Sequence, residues 1–443
     1  MGSFNTALSG MNAAQRALDV YGNNIANSTT VGFKSSFVSF ADVMANSGSN
    51  AAGSGVTSYV QQGFGTSTIT PSSNVLDMAI NGSGFFIQSN NGAISYTRNG
   101  QFKLDDKGGI INSNTGFALV GKRVDGSQGP LSISTQNLAP SKTTQLTVGL
   151  NLNSSTVGVD PVATQWVASP DGEAPSSKSY TYKTSTTFYD SLGNSHVLDM
   201  YYIRANPSAA NPSENYGSEN SWYFAAKVDG KDISIPASPT NNNADNLYSI
   251  TFNGDGSFKS TSQPGGAATA TAGKIPITIP SSFLNGAAGD GGAGTPMTVN
   301  VDFTSTTQFG SPFAVQSLED NGHSTGSLQG LSIDTKGNIF GTFSNGLNSL
   351  LGSVLLATFP DPGKLQIMGQ NGWIETNASG KPLVSEGNTG ATGAIQSGAT
   401  EDSATDLTGS LVMLNKAQSY FQANSRVISV NNQMIQTILQ SVS

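Results

Sequence analysis

FNTALSGMNAAQRALDVYGNNIAN, residues 4–27, sets Phe4, Leu8, Met11, Leu18 and Ile25 on a series whose steps alternate between four and three residues. That spacing holds large apolar side chains on one narrow stripe of an α-helix, the kind of seam along which helices pair. Residues 407–442 repeat it with Leu407, Leu411, Leu414, Phe421, Ile428, Ile435, Leu439 and Val442. The same series pass through Gln15, Gly22, Gln418, Ser425 and Asn432, small or polar residues that weaken an isolated pair but can fix its register. Two seamed helices are therefore predicted at the ends, each marginal alone. Nearly everything between them reads as short strands and turns. The fold class expected is multidomain and mainly β, with N- and C-terminal α-helices pairing as a coiled-coil-like domain.

Only 11% of the 443 residues are charged, against roughly 25% in ordinary soluble proteins. The 52 glycines and the many Ser, Thr and Asn make a polar, weakly charged surface. A net charge of −8 without a Lys/Arg cluster argues against nucleic acid as a partner, because phosphate binding needs clustered cations. With no cysteine there is neither a disulfide framework nor a thiolate metal site. No stretch approaches the ~20 apolar residues that span a bilayer, and the opening residues lack a secretory signal, so no membrane insertion is expected. MGSFNT fits a myristoylation pattern, but Phe4 already belongs to the helical seam.

The first helix is expected to stop at Asn27 and Ser28, with Gly32 beyond. Residues 35–70 read as linker-like with a few apolar anchors, Phe37, Phe40, Val43 and Met44, thinning into a Gly/Ser/Asn stretch from Asn46 to Gly55. From Leu76, β-type runs are separated by Asn81-Gly82, Asn91-Gly92 and Asn99-Gly100, pairs that permit the positive backbone angles of hairpin turns. A second β set fills about 180–305, where Met297, Val299, Val301 and Phe303 alternate with polar residues. Asn206–Asn220 and Gly286–Gly294 read as loops, and Gly387–Gly398 as a linker into the last helix. The expected division is 1–70 with 397–443 as an assembly domain, 71–148 and 311–396 as one β domain, and 149–310 as an inserted β domain.

Catalysis finds little support. His196 and His323 are the only histidines, neither has a second His at ligand spacing, and no G-x-S-x-G elbow occurs. The acidic turns at Asp105-Asp106 and Asp255 lack the spaced acids of a calcium loop. GDGGAG at 289–294 satisfies G-x-G-x-x-G, but without the strand before and helix after that a dinucleotide requires. Trp222, Tyr223 and Phe224 read as core and neighbouring face rather than a ligand platform. No enzyme activity, cofactor or metal is expected.

LSGMNAAQRALDVYGNNIANSTTVGFK at 8–34, with Asn23, Asn24, Ile25, Ala26, Asn27, Gly32, Phe33 and Lys34 at its centre, closely resembles the N-terminal signature of the bacterial flagellar axial proteins of rod, hook and hook-associated type. LDMAINGSGFF at 76–86, YTRNGQFKLDDKGGI at 96–110 and AQSYFQANSRVI at 417–428 resemble further shared blocks, and YDSLGNSHVLDMYYI at 189–203 is similar to a segment of the hook members. The chain departs from many relatives at Lys416–Ser419 and Ala404–Asp406. The resemblance implies a non-catalytic subunit, exported through the flagellar channel, that polymerises into a flexible curved tube outside the cell and transmits torque from motor to filament. The implied partners are copies of itself, rod and hook-associated proteins, the hook cap and the export apparatus. The seam residues of both ends would form the assembly interface. A distal rod subunit shares the ends but lacks so long an insertion; a secreted β-rich adhesin would explain the composition but not the seams.

Overall fold

A computed structural model describes residues 2–43, 55–134, 137–158, 175, 177, 179–204, 220–233, 247–262 and 273–442. Met44, nearly all of the Asn46–Gly55 stretch and of the Asn206–Asn220 loop, and the side chain of Val442 lie outside these residues. The chain divides into two compact units, one of 1–136, 328–343 and 348–443, the other of 137–327 and 344–347.

In the first unit, helix α1 spans Gly2–Ala26 and helix α2 spans Leu407–Val442. They pack on each other. Asp406 caps α2, its carboxylate accepting from the Gly409 N–H at 3.0 Å, which satisfies one of the free donors of the first turn. The described parts of 35–70, residues 35–43 and 55–70, are not a linker. Strand β1, Ser36–Val43, pairs antiparallel with strand β2, Gly55–Gln62, and the hairpin lies along α1. A two-stranded hairpin is marginal alone, so its burial of Val38 with Ala17 and Ala417 explains why so polar a sequence holds the strand state.

Beyond the hairpin, twelve strands form one sheet whose main path runs 328–333, 338–343, 348–358, 118–123, 85–90, 93–97, 372–374, 366–369. Late and early strands thus alternate in space, so the chain leaves this unit and returns to complete it. The Gly387–Gly398 stretch is likewise not a free linker. Ala394–Ser397 pairs with Met78–Asn81, and Ala399–Glu401 pairs with Ile69–Pro71, which ties α2 directly to the β body.

The Asn-Gly pairs divide by role. Asn91 and Gly92 both have positive φ (49° and 95°), as a tight hairpin turn needs. Gly100 does not: a Cβ there would come within 1.6 Å of the Met78 carbonyl oxygen, so its glycine serves close backbone approach.

In the second unit, a four-stranded sheet (274–279, 297–302, 145–151, 314–320) and a six-stranded sheet built on 182–189, 195–204, 221–228, 248–252 and 258–262 share one core. Met297, Val299 and Val301 are buried in it while Thr298 and Asn300 are half-buried, the period-2 pattern of a strand with one face inward. Trp222 and Phe224 enter this core, and Tyr223 packs on the opposite face with Tyr201 and Ile203. Residues 288–289 and 292–293 form a small hairpin through the glycine-rich loop.

Candidate assembly interface

α1 and α2 run antiparallel. A Cβ built on Gly10 would come within 2.9 Å of the Asn424 amide, and Ala17 clusters with Ala417. Seven residues forward on one helix thus match seven back on the other. Apart from Gly409 in its first turn, the less exposed residues of α2 are Ser410, Leu414, Ala417, Phe421, Asn424, Ile428 and Asn431, again at steps of four and three. One row of the expected seam, Leu414, Phe421 and Ile428, lies on this face. The other row sits one residue earlier than the sequence reading placed it, at Ser410, Ala417, Asn424 and Asn431. α1 meets it with Ala7, Gly10, Ala14 and Ala17, so the contact is made by small side chains that let the two helices approach closely.

The remaining seam residues fall into two groups. Met11, Leu18 and Ile25 are half-buried on α1. Leu8, Leu407, Leu411, Ile435 and Leu439 are exposed, as are Val412, Met413, Val427, Val430, Met434 and Ile438. Single exposed apolar residues are ordinary, but here they form a run along one helix.

The segment that ends α1 and follows it folds into a junction. Asn27 turns the helix end, its amide donating to the Asn23 carbonyl at 3.0 Å. Asn24 is buried and pairs with the Ser36 backbone in both directions (2.7 and 3.0 Å), fixing where β1 leaves the helix. Asn23 and Ala26 are exposed, and Phe33 is half-buried with its carbonyl accepting from the Ala404 N–H at 2.9 Å. Gly32 has φ of +69°, donates to the Glu401 carbonyl at 2.7 Å, and has no room for a Cβ, which would lie 2.5 Å from the Arg98 carbonyl carbon.

At the centre, Lys34 donates to Glu401 Oε1 at 2.6 Å and to the Gly65 carbonyl at 2.6 Å. Arg98 donates to Glu401 Oε2 at 3.1 Å and to the Gly82 carbonyl at 2.7 Å. The Ser67 N–H completes the set with a 3.0 Å bond to Glu401 Oε1. All three side chains are at most 2% exposed. Four chain segments from both ends of the sequence therefore converge on one carboxylate. Arg98 and Glu401 were not singled out as site residues by the sequence reading. The scarcity of charge was the available signal: 48 charged residues in 443 make an acid inside a Gly/Thr-rich stretch conspicuous.

Burial, followed by the neighbouring Arg98 charge, lowers the Lys34 pKa, against the pull of Glu401. A lysine lowered in the folded state binds fewer protons than in the unfolded chain at pH between that lowered value and the ordinary 10.5. Its contribution to stability therefore grows as pH rises through that window. Tyr96 acts in the opposite sense, since burial and Glu375 raise its pKa. The comparison must be by difference. The stability of the parent chain minus that of Lys34→Met, from urea midpoints, should rise on the alkaline side. A flat or falling difference would show that Lys34 is not held against its charge.

Elsewhere, His196 is buried between Asp229 (2.8 Å) and Asp190 (3.3 Å) and stacked on Phe188, while His323 bonds the Ser324 carbonyl at 3.1 Å. Asp105 accepts the N–H groups of Lys107 and Gly109, closing its own turn. Among the described residues no group of His, Asp or Glu has the arrangement of a metal site, and no helix is long and apolar enough to cross a membrane.

Four family models match in succession: Flagella basal body rod protein at 4–34, Flagellar hook protein FlgE/F/G D1 domain at 79–161, Flagellar basal body protein FlaE D2 domain at 151–323, and Flagellar basal body rod FlgEFG protein C-terminal at 396–441. The flagellar hook protein FlgE of Escherichia coli is 34% identical over 448 residues, with 99% of each chain covered. The chain belongs to the flagellar hook protein family. The Salmonella typhimurium hook protein is 33% identical and that of Borreliella burgdorferi 27%, each again over 99% of both chains. A crystal structure of the Helicobacter pylori flagellar hook protein FlgE2 shares the fold with a TM-score of 0.51 at 14% identity, covering 74% of this chain and 99% of that one. The signature residues lie at the end of the matched N-terminal segment, 4–34, and that end enters the buried junction.

Proposed function

We propose that this chain is the structural subunit of the bacterial flagellar hook. Many copies would polymerise into a flexible curved tube outside the cell, joining rod to filament and transmitting torque. The observation that carries this reading is full-length similarity to hook proteins together with paired terminal helices that leave long apolar rows uncovered within one copy. A non-closing interface between copies generates a helical polymer. In this reading 1–70 and 397–443 assemble, with Leu8, Met11, Leu18, Ile25, Leu407, Leu411, Leu414, Phe421, Ile428, Ile435 and Leu439 supplying contacts within and between copies. The β domains 71–148 with 311–396, and 149–310, would face outward. Rod and hook-associated proteins, the hook cap and the export apparatus would be the further partners, and no reaction would be catalysed.

Expression in a hook-deficient strain tests it. Swimming should return, and isolated basal bodies should carry hooks. Basal bodies with an extended rod and no hook would favour a rod subunit, and surface display without either would favour an adhesin.

A further inference from the structure

α2 is longer than its partner. With Gly10 level with Asn424 and Ala17 level with Ala417, the start of α1 at Gly2 is level with roughly residue 432, so about 15 Å of α2 projects past it at 1.5 Å per residue. This overhang carries no charged residue. Its Met434, Ile435, Ile438 and Leu439 are 49–65% exposed. Back along the same unit, α1, the hairpin and the first half of α2 wall an open groove of about 420 Å³. Ala13, Ala14, Phe40, Val56, Met413 and Tyr420 line it, and among the described residues Lys416 is the one charged residue on its wall. The volume falls within the range of genuine binding clefts.

Groove and overhang sit on one continuous helix. From Ala417 at the groove to Ile438 is roughly 30 Å of rigid α-helix, so a copy cannot fill its own groove with its own overhang. Two unlike, mutually apolar surfaces separated along one axis make a contact that repeats without closing. We propose that the overhanging end of α2, through Met434, Ile435, Ile438 and Leu439, seats in this groove of a second copy, linking copies head to tail along the helix axis. The proposal rests on the assembly reading above and adds to it which surface of one copy meets which surface of the next.

The absence of cysteine makes a cross-linking test clean. A chain carrying both Met413→Cys and Ile438→Cys cannot bridge them internally, since they stand about 37 Å apart on one helix. Oxidised after assembly, it should give a ladder of covalent multimers. Neither single variant should, nor should Val124→Cys combined with Ile438→Cys. Tubes that form without a ladder would overturn the groove contact and leave the hook reading standing, whereas failure of the unaltered chain to form tubes would overturn the hook reading itself. Should the double variant fail to assemble, a synthetic peptide of residues 430–442 supplies the second measurement. In excess over the unaltered chain it should slow tube growth at least about tenfold by occupying the groove, and its Ile438→Asp form should not. Equal growth with either peptide would overturn the proposal.

Discussion

Glu401→Ala should destabilise the first unit by about 3–5 kcal/mol, the loss found when one member of a buried ion pair is removed. Two effects add. Lys34 and Arg98 are each buried, and without the carboxylate they face one another as like charges with no anion between them. The half-buried Ser67 N–H also loses its acceptor, at a cost below the about 1–3 kcal/mol of a fully buried unpaired donor. Glu401→Gln should fall between, because the amide oxygen still accepts hydrogen bonds but carries no charge. Trp373 reports on this unit, its indole N–H donating to Gln62 on β2 at 2.9 Å. Its fluorescence in urea should shift to a markedly lower midpoint, while the unfolding of residues 137–327 stays where it was. A loss below about 1 kcal/mol would mean that the junction is held by its backbone bonds and that the carboxylate is replaceable. Substituting Lys34 as well as Glu401 by apolar residues should recover only part of the loss, since it removes the like-charge repulsion but leaves Arg98 buried without its anion.

The parts of this molecule that sequence reveals are those where large apolar residues carry the pattern. Leu414, Phe421 and Ile428 define a helix face in any reading, and Met297, Val299 and Val301 define a strand. The row of α2 that meets α1 beside Leu414, Phe421 and Ile428 is Ser410, Ala417 and Asn424, one residue before the bulkier Leu411, which stays exposed within one copy. Which row is right depends on the partner, and α1 presents Gly10 and Ala17, whose small size favours close approach over bulk. The hairpin was hidden for a related reason. Its buried residues are the apolar Val38 on β1 and the polar Ser58 on β2, which stand opposite Val60 and Phe40, and Ser58 is held by Arg16 of α1 through its hydroxyl at 3.4 Å. Glycine-rich stretches proved the least legible. Gly387–Gly398 has linker composition, yet Gly393 abuts the Asn81 carbonyl so closely that a Cβ would lie 2.4 Å from it. There glycine marks tight packing of backbone on backbone, not freedom. The junction could not be assembled from sequence at all, since Lys34 and Glu401 are 367 positions apart and only the folded chain makes them neighbours.

The second large effect concerns where the chain can be shortened. Residues 31–404 alone should fold, remain monomeric and form no tubes under conditions where the full chain does. That span keeps Gly32, Lys34, Arg98 and Glu401, and with them the strand Ala399–Glu401 on Ile69–Pro71. It removes both helices and with them the overhang and the helical walls of the groove, leaving only Phe40 and Val56 of its lining. The hairpin loses α1, so β1 and β2 should exchange amide hydrogens quickly while the β body stays protected. Ending the chain at residue 399 instead should be far worse. It deletes Glu401, strands two buried cations and unzips the last strand, so the midpoint should fall as it does for Glu401→Ala or further. The pair of shortened chains separates two roles that lie only a few residues apart: residues up to 404 hold the β body together, and residues beyond hold copies together. Sedimentation and electron microscopy read the second role, and urea unfolding reads the first. Tubes of normal appearance from 31–404 would place the polymer contacts on the β domains and refute assembly through the terminal helices.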